Sequence, residues 1–238
     1  MRLTTSGFTL CLVAFSALGH AQASKYPRMA PIEQYLIADR NAEVTLARSA
    51  APAAISGDAT VLVLTRRGYE TAATGKNGFV CLVDRAWQAM VADADFWNPQ
   101  LRAPVCLNPQ ATRSVLPIQR KRTELALAGL SKTEIATRVH AALSAKEFPP
   151  PDIGSMSYMM SKDQYVGDRD PRWRPHLMFY LPGTVKGPDW GANLLGSPVV
   201  ATPGQLPDGK REPVIVFMVP LNEWSDGTSA GANRPSSQ

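Results

Sequence analysis

The chain has 238 residues, three cysteines and a formal net charge of +5, enough for one sizeable domain or two small ones. Its basic excess is too mild to argue for nucleic acid, and no apolar stretch after the N-terminus is long enough for a membrane helix. The longest, 213–221, carries two prolines and fits a buried strand. At the start, Met1 and Arg2 form a short basic region, 8–18 an apolar core too short to span a bilayer, and Ala21-Gln22-Ala23 a small-x-small cleavage signature. A signal peptide over 1–23 is therefore expected, with cleavage after Ala23 and export to the periplasm or the medium. Cys11 follows Leu10 inside the apolar core, so it is read as discarded with that segment rather than as a lipidation site.

Export leaves Cys81 and Cys106 where disulfides persist. A bridge between them closes a loop of about 25 residues, worth roughly 3.5 kcal/mol in the chain-entropy view. A reactive thiol is the competing reading, but Cys81 lies inside Phe79-Val80-Cys81-Leu82-Val83 with no adjacent base.

Pro31 can open a helix, and Ile32, Leu36, Val44 and Ala47 give it an amphipathic stripe over about 31–48. The run 60–65 reads as a strand, Arg67-Gly68 as its turn, and Gly75-Lys76-Asn77-Gly78 as a second turn into a strand at 79–83, an antiparallel meander. Residues 87–108 are irregular, with Pro99, Pro104 and Pro109 as breakers. A helical pair follows. Residues 112–128 form the first helix, with Pro117 in its first turn or at a kink and Gly129 as the stop. Ser131-Lys132-Thr133-Glu134 is a capping box opening the second, to about 146. Within this pair Arg120-Lys121-Arg122 is read as a solvated helix face, and His140 as a partly exposed helix residue.

After Pro149-Pro150-Pro151, strands return at 156–160, 175–181 and 214–219, with a weaker one at 199–202. The expected architecture is a single α+β domain over 24–224, a mainly antiparallel sheet with two or three helices on one face, and a flexible tail over 225–238. Division into two domains at the triple proline is the alternative.

Familiar catalytic signatures fail on spacing. Six residues separate Gly68 from Gly75-Lys76, where a phosphate loop has four, and Asn77 replaces the hydroxyl such a loop needs. There is no Gly-x-Ser-x-Gly, His-Glu-x-x-His or Cys-x-x-Cys pattern. The richest segment is Met156-Ser-Tyr-Met-Met-Ser-Lys162 with Asp168-Arg-Asp-Pro-Arg-Trp-Arg-Pro-His176-Leu-Met-Phe-Tyr180. Strand alternation puts His176, Met178 and Tyr180 on one face, and Met156, Tyr158 and Met160 on one face of their own strand. Aligned, these faces would offer imidazole and thioether ligands suited to copper(I); methionines in strands are otherwise core filler. His176 is also a candidate general base, with Asp168 or Asp170 orienting it and Ser157, Ser155 or Ser161 as nucleophile. Trp97 and Trp190, with Asn193, Tyr158 and Tyr180, are candidate contacts for a small-molecule, glycan or peptide ligand. No cofactor is implied.

Lys25-Tyr-Pro-Arg-Met-Ala-Pro-Ile-Glu-Gln-Tyr35, Lys76-Asn-Gly-Phe79, Phe96-Trp-Asn-Pro99, Met159-Met-Ser-Lys162, Pro175-His-Leu-Met178, Trp190-Gly-Ala-Asn193 and Trp224-Ser-Asp-Gly227 together resemble an uncharacterised family of exported bacterial proteins. The resemblance runs over nearly the whole chain after residue 23 and implies a single exported unit with no particular reaction. In the family pattern a cysteine often stands at Ser157 and histidines at Arg172 and Arg174; here only His176 remains. The resulting expectation is a non-enzymatic exported binding or envelope-associated protein. The alternatives are a hydrolase using His176 and a Met/His metal-binding protein.

Overall fold

Strands with apolar residues at every position need cover on both sides, and this requirement organises the fold. The computed structural model describes residues 25–205 and 211–231; the expected cleavage site and 232–238 lie outside them. One sheet is built from β1 (Thr60–Thr65), β2 (Gly68–Ala73), β3 (Val80–Asp84), β4 (Ala103–Leu107), β5 (Met156–Met159), β6 (His176–Pro182), β7 (Val200–Gln205) and β8 (Arg211–Pro220). Their spatial order is β2-β1-β3-β4-β5-β6-β8-β7, and all pairs are antiparallel except β1 with β3. This is the expected α+β class, and the sheet draws on both sides of the triple proline.

The helices among the described residues are α1 (Arg40–Arg48), α2 (Ala53–Ser56), α3 (Pro109–Ser114), α4 (Leu116–Leu127) and α5 (Lys132–Ser144). Leu62, Leu64, Leu82, Val105 and Leu107 pack with Ala111, Leu125, Ile135 and Val139, so α3, α4 and α5 share one face. The alternate residues Val61, Cys81, Val83 and Cys106 pack with Ala47 and Ala50 on the other face, beneath α1. Toward β7, that second face is covered by the loop carrying Ala192, packed on Ile215 and Phe217.

Four local expectations change. The stretch 31–48 is not one helix: a short 3-10 turn over Ile32–Gln34 precedes α1, whose cap is Asp39 accepting from the Asn41 amide at 2.8 Å. Ile32 and Leu36 pack with the α4/α5 core, whereas Val44 packs on the opposite face, and one straight helix cannot serve both. The expected meander is replaced by a hairpin followed by a parallel return. Residues 74–79 fold back along the start of β1, where Lys76 N donates to the Asp58 carbonyl at 2.8 Å and Asn77 Nδ2 to that of Ile55 at 2.7 Å. A Cβ at Gly75 would lie 2.2 Å from the Asp58 oxygen, so only glycine fits there.

The irregular stretch 87–108 also contains the interior strand β4. Pro104 is tolerated because β5 pairs only with Cys106 and Leu107, leaving the Pro104 side of β4 outside that ladder. Cys81 and Cys106 stand directly opposite one another and are disulfide-bonded, joining β3 to β4. Finally, the first member of the helical pair is split: Asn108 caps α3 by accepting from the Ala111 amide, and Pro117 falls in the first turn of α4. The Ser131/Glu134 capping box is formed at the start of α5. No helix among the described residues is long and apolar enough to cross a membrane.

Candidate ligand cavity

Helices α4 and α5 leave a cavity of about 270 Å³ against the face of β6 and β8. Strand register supplies one wall. Met178 lies opposite Met218 and Tyr180 opposite Val216, with all four side chains lining the space. Ile118 of α4, Leu143 of α5 and Trp173 close it with further apolar surface. Among these apolar walls sits Asp84, the last residue of β3, with Gln119 of α4 beside it.

The polar chemistry of this cavity is unfinished. Asp84 Oδ2 accepts from Gln119 Nε2 at 2.9 Å. Asp84 Oδ1 and Gln119 Oε1 are buried without a hydrogen-bond partner, a costly arrangement away from water. Burial pushes the Asp84 carboxyl up to about 7, against the pull of Arg85, the Gln119 hydrogen bond and Arg122. Tyr180 shares a hydrogen bond of 2.9 Å with Ser157 Oγ, and burial raises its phenol well above the ordinary range. Arg122 and Asp93 also line the cavity, so the basic run 120–122 is not wholly a solvated face.

The residues singled out in the sequence are dispersed. His176 is buried, its Nδ1 sits 2.7 Å from the Arg174 carbonyl and its Nε2 has no partner. Burial lowers its pKa. Asp168 is held by Lys25, Tyr26 and Tyr165, and these hydrogen bonds hold its carboxyl down at about 2. Ser157 is paired with Tyr180. No hydrogen bond among the described residues joins His176 to either Asp168 or Ser157, so the Ser-His-Asp relay is not assembled.

Register also separates the copper(I) set. Met159 pairs with His176 and Ser157 with Met178, so Met156 and Tyr158 point to the opposite face from His176, Met178 and Tyr180. The expected alignment is off by one residue. No group of three or more His, Cys, Asp or Glu side chains able to hold a metal occurs among the described residues.

The aromatic candidates divide similarly. Trp97 is 3 % exposed and packs edge-on against Phe96 in the α4/α5 core. Trp190 is half exposed, but its ring packs on Phe217 at 5.2 Å on the other face of the sheet. Asn193 uses both ends of its amide on the backbone of Ala201, and Tyr158 packs against Phe79 at 6.3 Å. Of the five ligand candidates, Tyr180 alone lines the cavity. Sequence reasoning missed Asp84 and Gln119. An acid directly ending a five-residue apolar run was the available signal for Asp84, whereas its pairing with Gln119 depends on how α4 packs.

Comparisons with protein-family models, curated proteins and solved structures find no match to this chain.

Proposed function

We propose that this chain is an exported, non-enzymatic binding protein that holds a small, largely apolar molecule between α4, α5, β6 and β8. The carrying observation is the cavity itself: thioether, aliphatic and aromatic walls with two unmatched buried acceptors between them. At about 270 Å³ it is larger than the roughly 150 Å³ cavity known to accept benzene and slightly below the usual range for drug-sized ligands. Export is supported by the pattern of residues 1–23, by the family resemblance and by the Cys81–Cys106 bridge. A hydrolase reading has less support, because the histidine it needs contacts neither proposed partner. A glycan or peptide groove has less support too, since Trp97 is buried and Trp190 lies across the sheet.

Ligand-detected saturation-transfer NMR with toluene and indole tests the proposal. Both probes are expected to receive saturation from the wild-type protein and to lose it when Val216→Trp fills the cavity, with the far-UV circular dichroism unchanged. Absence of transfer to either probe in the wild type, or equal transfer in the filled variant, would overturn it.

A further inference from the structure

Resting on the cavity reading, the nature of the unmatched groups narrows the ligand. Asp84 Oδ1 and Gln119 Oε1 are both acceptors, both buried, and both belong to side chains already joined by the Gln119 Nε2 to Asp84 Oδ2 bond. An apolar molecule fills the volume but leaves both oxygens unsatisfied. An anion opposes the carboxylate. A molecule that complements the pair must bring donors.

The charges around Asp84 favour a cationic donor. Arg85, next in the chain, is turned away and bonded to Glu43, the Tyr35 carbonyl and the Val83 carbonyl. From α4, Arg122 lines the cavity, and from the loop after β3, Asp93 does so with the opposite sign. Neighbouring Tyr69 and Tyr180 have phenols raised by burial and stay neutral. Leu143 of α5 and Val214, Val216 and Met218 of β8 are uncharged. Arg85 is matched by Glu43, and the charged side chains that line the cavity, Asp84, Asp93 and Arg122, leave it with a net negative charge.

We infer that the cavity takes a small amine, carried on an aromatic or short aliphatic body packed among Met178, Met218, Val216 and Trp173: its ammonium group pairs with the Asp84 carboxylate, and a rotation of the Asp84 and Gln119 side chains brings Oδ1 and Oε1, closed off in the empty cavity, into reach of its donors. Methionine sulfur and the indole face are compatible with the polarised CH₂ groups beside such a nitrogen. Binding would also draw the carboxyl proton off, because a paired cation favours the charged form.

Titration calorimetry with toluene, 2-phenylethanol, 2-phenylethylamine and phenylacetate separates this inference from the cavity reading beneath it. At pH 8 the amine is expected to bind about tenfold or more tightly than the alcohol, the scale of a hydrogen bond to a charged partner, and phenylacetate most weakly. The amine's advantage is expected to shrink as the pH falls from 8 to 5 and the Asp84 carboxyl takes up its proton. Asp84→Asn is expected to abolish that advantage, read as the ratio of amine to alcohol binding within the same variant. Toluene binding with the alcohol or phenylacetate equal to or tighter than the amine would overturn the amine inference and leave the cavity reading standing. Failure of every probe, toluene included, would overturn both. The ranking of probes on the wild-type protein decides the question even if the variant does not fold.

Discussion

Among the described residues two carboxylates, Glu43 and Asp84, are buried, and only one of them has its partners. Glu43 of α1 accepts through Oε1 from Arg85 Nη2 at 2.9 Å and from the Leu64 amide at 3.0 Å. Arg85 in turn donates to two backbone carbonyls. Asp84, one residue earlier, receives a single side-chain donor and keeps one oxygen bare. Alternation at the end of β3 sends these neighbours to opposite sides, one into a finished network and the other into the cavity. The difference teaches which buried charge belongs to the architecture and which is kept for something the chain does not itself provide.

The largest effect is expected on the finished side. Arg85→Met would leave Glu43 buried with only a backbone amide, and breaking a buried pair in this way costs about 3–5 kcal/mol. Urea unfolding is the measurement. Adding Glu43→Gln to the same chain is expected to recover part of the loss by removing the stranded charge. A cost below about 1 kcal/mol for the single variant would show that the pair is not what holds α1 to β3.

On the unfinished side the sign reverses. The Asp84 carboxyl titrates at about 7 in the folded protein against an ordinary value of 3.8. Between these values the native state holds a proton that the unfolded chain releases, so this group's contribution to stability is full below about 4 and is lost as the pH rises through 7. Asp84→Asn removes that dependence. The variant is expected to match the wild type near pH 4 and to exceed it at pH 8 by on the order of 3 kcal/mol, read from thermal unfolding across the two pH values. A substitution that destabilises at pH 8 would mean that the carboxylate, like Glu43, is structurally matched.

How much of this contrast is legible in the sequence follows from how local each signal is. The strand 60–65 and the Ser131 capping box are visible because apolar runs and capping hydroxyls act within a few residues. The disulfide is legible from export and from the number of cysteines remaining. Strand β4 is hidden by Pro104, which signals a break unless the missing ladder on that side is known. The register of β5 against β6 is hidden as well. A one-residue slip is silent in the sequence of either strand, yet it decides that Met156 and His176 face opposite ways. The cavity is the least legible feature, since Asp84 and Gln119 are 35 residues apart and meet only through the packing of α4 on β3.

The smallest expected effect lies at Asn193, where the contrast can be sharpened from the far face of the sheet. Its carboxamide resembles ligand-binding chemistry in the sequence, yet Nδ2 donates to the Ala201 carbonyl at 2.9 Å and Oδ1 accepts from the Ala201 amide at 3.1 Å. The side chain thus pairs with the outer side of β7 as another strand would, and blunts a sheet edge. It does so from a left-handed backbone with φ of 59°. Asn193→Gly keeps that backbone accessible and removes both hydrogen bonds, for an expected cost of about 1 kcal/mol; Asn193→Ala adds left-handed strain and is expected to cost about 2 kcal/mol. Neither is expected to change toluene binding, because Asn193 belongs to the finished part of the molecule and does not line the cavity. If Asn193→Gly weakened toluene binding by tenfold at unchanged stability, the two faces of the sheet would be coupled, and the separation between matched architecture and open site would fail at this residue.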